Sequence, residues 1–282
     1  MKLKIITFNL GLLIPNKNAY KRIDKFVEQI STKDYDLIFL QEVWPKVLRE
    51  YLKDRINYKF VLDMDIKPKP IIRIFPKKLH LDSGLLIFSK YEMSNFKRLN
   101  YNVNGYAIRF LDGETLVNKS IVGCDIKIVA NQNEKSIFVA TTHLVSHYVT
   151  CSYRFQRRQQ INELKEWLSK ITNPKIITGD FNISPPSIDG NPLHLETDRD
   201  WLECKTAFKN FNKINYHKVK TTYPHRYNLK ISKDEGCVDH IFVSEDITIL
   251  NEKTIYHDKH LDINNNEFYI SDHLAIETDL EI

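Results

Sequence analysis

The chain has 282 residues, of which 42% are hydrophobic and 27% charged, with a formal net charge of +5 at pH 7. This composition is typical of a soluble globular protein and excludes a low-complexity chain, and no apolar run is long enough to cross a bilayer. The mild positive charge suits solubility, or attraction toward an anionic partner such as nucleic acid or a lipid headgroup. The four cysteines show neither a CxxC pair nor a zinc-binding spacing, which favours free thiols in a reducing compartment.

No Pro-, Gly- or Ser-rich linker and no internal repeat divides the chain, so we predict a single domain over residues 1–282. The first residues superficially resemble a signal peptide, but Asn9, Pro15 and Asn16 interrupt the apolar run, and we interpret it as a core strand. We therefore expect a cytoplasmic or peripheral membrane protein, and we expect it to be monomeric.

Eight short runs rich in Ile, Val and Phe predict buried strands. They span residues 3–10, 36–40, 84–88, 121–129, 136–142, 175–178, 238–243 and 274–280. Apolar residues recurring every three or four positions predict two helices, whose stripes are Ile23, Phe26, Val27 and Ile30, and Ile161, Leu164, Leu168 and Ile171. A third helix is predicted after Pro45, with Val47, Leu48, Tyr51 and Leu52 facing inward. Strands interspersed with a few helices indicate a layered α/β enzyme.

Residues 66–79 read IKPKPIIRIFPKKL and combine three prolines with five basic residues. Proline at this density excludes a central strand. One interpretation is an edge hairpin that packs its apolar residues on the body of the protein. The other is an interfacial loop, in which Ile71, Ile72, Ile74 and Phe75 enter a lipid surface while the lysines meet anionic headgroups.

Acidic, amide and imidazole side chains recur at the ends of the predicted strands. They occur in TFNLG (Asn9), LQEVW (Glu42), VATTH (His143), TGDFN (Asp180 and Asn182), VDHIF (Asp239) and ISDHL (Asp272 and His273). Loops at strand ends allow a rigid scaffold to present polar groups to one cleft. Each fragment alone is weak evidence, because buried acids can simply support loops.

Six such fragments in this order resemble the endonuclease/exonuclease/phosphatase superfamily, from residue 5 to residue 280. The resemblance implies a four-layered α/β/β/α sandwich of two mainly antiparallel sheets flanked by helices. It also implies a Mg²⁺-dependent phosphodiesterase, with Mn²⁺ as a substitute ion. Phosphodiester hydrolysis requires charge neutralisation and an oriented nucleophile, which fits the residue types found.

The resemblance assigns Glu42 as the principal metal ligand, with Asn9 adding a carbonyl oxygen and Asp272 assisting either directly or through water. His273 would be the general base, oriented by Asp239.

The resemblance further implies that Asp180 and Asn182 position the nucleophile or the phosphate oxygens, and that His143 donates to the phosphoryl group. The sequence leaves open whether Asp180 or His273 takes the proton. Gly11 departs from the family pattern, since DNA-repair members often carry Asp there.

Finer motifs resemble the neutral sphingomyelinase-like branch. They are THLVSHY (residues 142–148), YRFQRRQQINEL (153–164), GDFNISPPS (179–187) and LVNKSIVGCDI (116–126). The last is similar to a Gly-Lys-Gly segment that brings a lysine to the phosphate. Lys119 matches that lysine, but Asn118 and Ser120 replace the glycines, so an exposed strand-edge lysine is an equal alternative.

This branch implies a phospholipid substrate at a membrane surface, reached through residues 66–79. Two alternatives belong to the same superfamily: a nuclease, which would bind nucleic acid, and a phosphoinositide or sugar-phosphate phosphatase. A catalytically inactive binding module is a further alternative, but such descendants usually lose a metal ligand or the final histidine, and this chain has both.

Overall fold

The computed structural model describes residues 1–12, 18–64, 83–106, 114, 117–130, 133–146, 153–185, 195–214, 222 and 236–282. The predicted interfacial loop over residues 66–79 lies outside the described residues. In chain order the elements are β1 (Lys2–Leu12), α1 (Ala19–Ser31), β2 (Leu37–Val43), α2 (Lys46–Lys53), β3 (Phe60–Leu62), β4 (Leu86–Ser89), β5 (Met93–Asn100), β6 (Ser120–Ala130), β7 (Asn133–His143), α3 (Arg154–Ser169), β8 (Lys175–Asp180), α4 (Leu195–Ala207), β9 (Phe211–Lys213), β10 (Asp239–Ser244), β11 (Thr248–Ile255), β12 (His260–Leu261), β13 (Glu267–Phe268) and β14 (Ala275–Glu281).

Two six-stranded sheets form the centre of the molecule. The first has the strand order β11-β14-β1-β2-β4-β3 and the second β5-β6-β7-β8-β10-β9. Neighbouring strands run antiparallel except for β1 beside β2 and β7 beside β8. Strands β12 and β13 form a separate hairpin before β14.

Alternating side chains of the two sheets fill three apolar layers. Leu3, Ile5 and Phe39 of the first sheet pack with residues such as Val139 and Ile176 of the second. The opposite face of the first sheet packs against α1 and α2, and that of the second against α3 and α4. Each fully buried large apolar side chain contributes about 1.5–3 kcal/mol through removal from water. The result is the predicted four-layered α/β/β/α sandwich of mainly antiparallel sheets.

All eight predicted strands are present, and the two predicted helical stripes lie on α1 and α3. Strands β5 and β11 were missed because they are sheet edges whose residues are largely exposed, so they lack an apolar pattern. The predicted third helix exists as α2, but the inward position of Val47 is wrong, because this side chain is 61% exposed. Pro45 is the N-cap residue of this helix and lies directly before its first turn. Among the described residues, none of the helices could span a membrane.

Candidate active site

Strand register brings the predicted residues of the second sheet together. Asp180 ends β8 and lies beside His143 in the parallel neighbour β7 and opposite Asp239 in the antiparallel neighbour β10. All three side chains are buried. The glycine before Asp180 is required here, since a Cβ at Gly179 would lie 2.0 Å from the Thr142 carbonyl oxygen. Gly179 in the TGDFN motif therefore lies where strands β7 and β8 approach each other closely.

The first sheet contributes Asn9 and Glu42 from the parallel pair β1 and β2. The register shifts after Asn9 pairs with Gln41, so that two residues of β1 lie opposite Glu42 alone. Such a bulge redirects a side chain at a strand end. Glu42 also has a φ of +57°, a left-handed conformation that costs free energy for a side chain of this type. Local backbone strain thus accompanies the position of this carboxylate.

Gly11 forms the other side of the bulge and explains one departure from the family pattern. Its φ is +56°, and its N–H donates to Asn9 Oδ1 at 2.9 Å. A Cβ at this position would lie 2.5 Å from Asp272 Oδ1. In this chain a side chain at position 11 would therefore displace the Asp272 carboxylate.

Asp272 and His273 precede β14, the antiparallel neighbour of β1. The hydroxyl of Ser271 fixes this segment, because it contacts the Asn9 carbonyl oxygen at 2.6 Å and Asp272 Oδ1 at 3.2 Å. The same oxygen accepts the His273 N–H at 3.1 Å. Burial, and after it the charge of Asp272, raise the pKa of Glu42. Asp272 belongs to neither of the two described side-chain groups that have metal-ligand spacing, so ligation of one cation by Glu42 and Asp272 stays a prediction.

His273 is held between two carboxylates. Its Nδ1–H donates to Asp239 Oδ2 at 2.8 Å, and its Nε2 lies 3.7 Å from Asp180 Oδ2. Burial alone would lower the pKa of His273, but its ion pair and hydrogen bond with Asp239, together with the charges of Asp180 and Asp272, raise it to about 10. Burial and the charge of Asp239 raise the pKa of Asp180 to about 7.

Glu42, His143 and Lys119 form the other side of the site. His143 Nε2 lies 3.7 Å from Glu42 Oε1, 3.7 Å from Asp180 Oδ2 and 2.9 Å from Lys119 Nζ. Because an ammonium group has only donors, His143 Nε2 is the acceptor in the last contact. Burial, then the positive charges of Lys119 and His273, hold the pKa of His143 well below its usual range. The imidazole is therefore neutral, and its predicted donation to a phosphoryl group stays a prediction.

Lys119 reaches the site although the glycines of the similar family segment are absent. The side chain is 2% exposed and lies 3.5 Å from the carboxylate of Glu114. Its backbone carbonyl accepts the N–H of Tyr101 at 3.1 Å, which fixes the start of β6. The alternative of an exposed strand-edge lysine is therefore excluded by the structure.

The two amide side chains act as donors. Asn9 Nδ2 donates to Asp180 Oδ2 at 2.9 Å and to Glu42 Oε1 at 3.2 Å, while its oxygen faces Gly11. Ligation of a cation by Asn9 remains a prediction, and it would require rotation of this amide. Asn182 donates through Nδ2 to the Leu144 carbonyl at 3.0 Å, and its N–H donates to Asp180 Oδ1 at 2.8 Å.

Two groups of side chains have the spacing of metal ligands and share Asp180. They are Glu42, His143 and Asp180, and Asp180, Asp239 and His273, and within each group the ligand atoms lie within 4.8 Å of one another. The pKa of Glu42 is raised by burial and by Asp272, so negative charge is crowded beside it. Carboxylate oxygens in this arrangement are the donors that hard divalent cations such as Mg²⁺ prefer. The donor set therefore fits a divalent cation.

Sequence reasoning gave no role to Trp44 or Thr222. The Trp44 ring lies 5.9 Å from the His143 ring and 5.7 Å from Lys119 Nζ, and forms an apolar wall of the site. Thr222 accepts the Asp239 N–H at 3.1 Å through its hydroxyl and the Leu274 N–H at 2.7 Å through its carbonyl. Trp44 follows Glu42 by two residues and could have been noticed, whereas nothing in the sequence around Thr222 points to the site.

Comparison with known proteins is consistent with this geometry. The Endonuclease/Exonuclease/phosphatase family model matches residues 6–273. Sphingomyelin phosphodiesterase 2 of Rattus norvegicus is 24% identical over 214 residues, which are 73% of this chain and 46% of the rat protein. Inositol phosphosphingolipids phospholipase C of Schizosaccharomyces pombe is 24% identical over 193 residues, or 66% of this chain and 42% of that protein. The chain thus spans about half the length of these relatives.

Solved structures share the fold. Beta toxin from Staphylococcus aureus superposes with a TM-score of 0.74 at 20% identity, covering 98% of this chain and 99% of the toxin. A mutant beta toxin with bound magnesium ions gives a TM-score of 0.69 at 19% identity and covers 99% of each chain. At these identities the superpositions establish the shared fold.

Proposed function

The chain belongs to the endonuclease/exonuclease/phosphatase family, and on that basis we propose that it is a Mg²⁺-dependent phosphodiesterase with its reaction centre around Asp180. The observation that carries the proposal is the position of the Asp180 carboxylate. One of its oxygens lies 3.7 Å from His273 Nε2 and 3.7 Å from His143 Nε2. A group at this point can contact both an attacking water and a phosphate.

We assign His273 as the group that removes a proton from the attacking water. Since its pKa in the metal-free site is about 10, this role requires the neutral imidazole, which the positive charge of a bound cation would favour. Its Nδ1–H is engaged by Asp239, so only Nε2 is available to the water. The Asp239 carboxylate stabilises the imidazolium that forms when the proton is taken. Asp180, whose pKa is about 7, orients the same water.

Asn9 and Asn182 keep Asp180 in place. Asn9 donates to one oxygen of the Asp180 carboxylate, and the Asn182 N–H donates to the other. With both oxygens engaged, the carboxylate cannot rotate away from His273. These contacts support a positioning role for both asparagines.

Lys119 and His143 form the phosphate-binding side. The Lys119 ammonium is buried next to His143 and can donate to a non-bridging phosphate oxygen that enters the site. Its contribution is electrostatic, because negative charge on these oxygens grows as the water attacks. His143 would contact the same oxygens once the substrate displaces the Lys119 contact.

Glu42 and Asp272, with Asn9 after rotation of its amide, would hold the cation. A bound divalent ion supplies positive charge that polarises the phosphate oxygens and offsets the crowded carboxylates. The raised pKa of Glu42 supports this assignment, because burial and the charge of Asp272 outweigh the positive charges of Lys119 and His273 at this carboxylate. Mn²⁺ would substitute, because it accepts the same oxygen donors.

We propose a phospholipid substrate of the sphingomyelin type, whose headgroup phosphate is cleaved from the lipid oxygen. The support is the sequence likeness to the rat and yeast sphingolipid enzymes, together with THLVSHY and GDFNISPPS. Residues 66–79 are proposed to contact the membrane surface, and the chain is proposed to act as a monomeric single domain.

Product analysis tests this function. Purified protein is incubated with sphingomyelin vesicles, an oligonucleotide or a phosphoinositide, each with Mg²⁺ or with chelator, and the phosphorus-containing product is identified by ³¹P NMR. We expect a phosphorylated headgroup from sphingomyelin, with Mg²⁺ only. Oligonucleotide cleavage without headgroup release would identify a nuclease, and free inorganic phosphate from the phosphoinositide would identify a phosphatase. Absence of turnover on all three would favour a binding module.

A further inference from the structure

Arg22 is a buried cation in the first turn of α1. Only 4% of the residue is exposed, although the same face of the helix carries Ile23, Phe26 and Ile30 of the apolar layer. A charged side chain in an apolar layer is costly unless its donors are satisfied. Its position therefore requires a specific set of partners.

Those partners are backbone carbonyls from two distant segments. The guanidinium donates through Nε to the Ile270 carbonyl at 2.5 Å and through Nη1 to the Gly11 carbonyl at 3.1 Å. Its Nη2 donates to the Leu10 carbonyl. Leu10 and Gly11 are at the end of β1, whereas Ile270 is about 260 residues later in the chain. One side chain therefore joins both ends of the sequence.

Both segments carry site residues. Asn9 precedes the Leu10 and Gly11 carbonyls, and Ser271, Asp272 and His273 follow Ile270 directly. The Ser271 hydroxyl contacts the Asn9 carbonyl oxygen at 2.6 Å, so the two segments also contact each other. From its position in α1, Arg22 thus holds the main chains of these two segments together.

We propose that Arg22 is a positioning residue that fixes Asn9 and the Asp272–His273 pair relative to each other. This inference rests on the proposed phosphodiesterase function. The three hydrogen bonds of Arg22 described above go to main-chain carbonyls and not to the site carboxylates. Through these bonds Arg22 holds the main chain that carries the site residues. A small displacement of His273 relative to Asp180 would be enough to slow the reaction strongly.

Only arginine supplies this geometry. A guanidinium has five N–H donors in a rigid planar fork, so three can point to three carbonyls at once. Lysine has a single compact ammonium group and cannot span the same carbonyls. Methionine would fill much of the volume but leave all three carbonyls without this donor.

The test compares Arg22→Met and Arg22→Lys with the control Arg49→Met. Arg49 is 3% exposed and lies in α2, which packs against the same sheet as α1. Its Nε lies 3.7 Å from Asp63 Oδ1. Three quantities are measured: thermal stability, Mg²⁺-dependent hydrolysis of bis-p-nitrophenyl phosphate, and metal-free amide hydrogen exchange by mass spectrometry. The exchange measurement reports on the Gly11 and His273 N–H groups, which donate to Asn9 and Ser271.

For both Arg22 variants we expect kcat to fall about a hundredfold, with KM changed less than about threefold. Exchange should accelerate in residues 9–12 and 270–273 in these variants, but not in Arg49→Met. Guanidinium ion at non-denaturing concentration should restore part of the activity of Arg22→Ala and none in Arg49→Ala.

The inference is overturned if folded Arg22→Met retains kcat within about threefold of the wild type. It is also overturned if Arg22→Met and Arg49→Met lose activity in proportion to their loss of stability. If the wild-type protein hydrolyses no phosphodiester, the proposed function fails. The hydrogen-exchange pattern then tests the positioning role of Arg22 separately. Unchanged exchange in residues 9–12 and 270–273 refutes that role.

Discussion

Asp180 and Asp239 lie directly opposite each other in the antiparallel pair β8 and β10, both almost fully buried. Burial, together with repulsion between the two carboxylates, raises the pKa of Asp180 to about 7. The His273 imidazole lies between them, bound to Asp239 and 3.7 Å from Asp180. The register of one strand pair therefore creates the charge distribution around the proposed base.

Replacement of His273 by alanine should lower kcat by about a thousandfold or more, because the attacking water loses its proton acceptor. Steady-state kinetics on bis-p-nitrophenyl phosphate measure the effect, and circular dichroism confirms folding. His257→Ala is the matched control, since His257 is exposed and its Nε2 contacts Thr254. Activity of His273→Ala above about a tenth of wild type would refute the assignment.

Asp239→Asn should lower the pKa of His273 from its value of about 10 toward that of a free imidazole. The reason is that the substitution removes the charge of its hydrogen-bond partner while preserving size. NMR titration of the imidazole in metal-free protein measures the shift, and kcat should fall about a hundredfold. Asp258→Asn, at an exposed position, provides the control. An unchanged His273 titration would show that Asp239 does not set its charge.

Glu42→Gln should raise the Mg²⁺ concentration for half-maximal activity about tenfold or more, because a carboxylate ligand becomes a neutral amide. Mg²⁺ titrations of activity, and direct calorimetric titration of the ion, measure this change. Glu134→Gln, whose side chain is 56% exposed on β7, should behave as the wild type. An unchanged Mg²⁺ dependence would exclude Glu42 as the main ligand.

Lys119→Ala should lower kcat/KM about a hundredfold, since a buried ammonium at the phosphate-binding side is lost. Inhibition by inorganic phosphate should weaken in parallel. Lys127→Ala is the control, because Lys127 lies on β6, the strand that begins directly after Lys119, with its side chain 48% exposed. Equal effects of the two substitutions would mean that only net charge matters.

The lowered pKa of Glu277 predicts that the stability of the fold depends on pH, independently of the candidate active site. Although burial opposes it, hydrogen bonds from Tyr35, Lys33 and Lys253 lower the pKa of Glu277 to about 2 from 4.5. Its contribution to stability is complete above pH 4.5 and is lost as the pH falls toward 2. Glu277→Gln should cost about 1–3 kcal/mol in urea unfolding at pH 7 and less at pH 3. A loss that is the same at both pH values would contradict this role.

The sequence by itself determined most of the buried elements and the side chains of the candidate site. Apolar runs and helical periodicity predicted the buried strands and the helices α1 and α3, because burial imposes a residue pattern. Short motifs named every carboxylate and imidazole of the cluster, and the resemblance they carried implied the sandwich fold. Edge strands such as β5 and β11 were missed because exposure imposes no such pattern.

Only the tertiary structure decided which residues contact each other and which of them are buried. The register of β8 and β10 places Asp180 against Asp239, and the bulge between β1 and β2 turns Glu42 toward Asn9. Lys119, an uncertain candidate in the sequence, proved to be buried against His143. Arg22 gave no local signal, since its partners are carbonyls of Gly11 and Ile270. Contacts between residues separated by up to 260 positions depend on strand register and layer packing, which a local residue pattern does not encode.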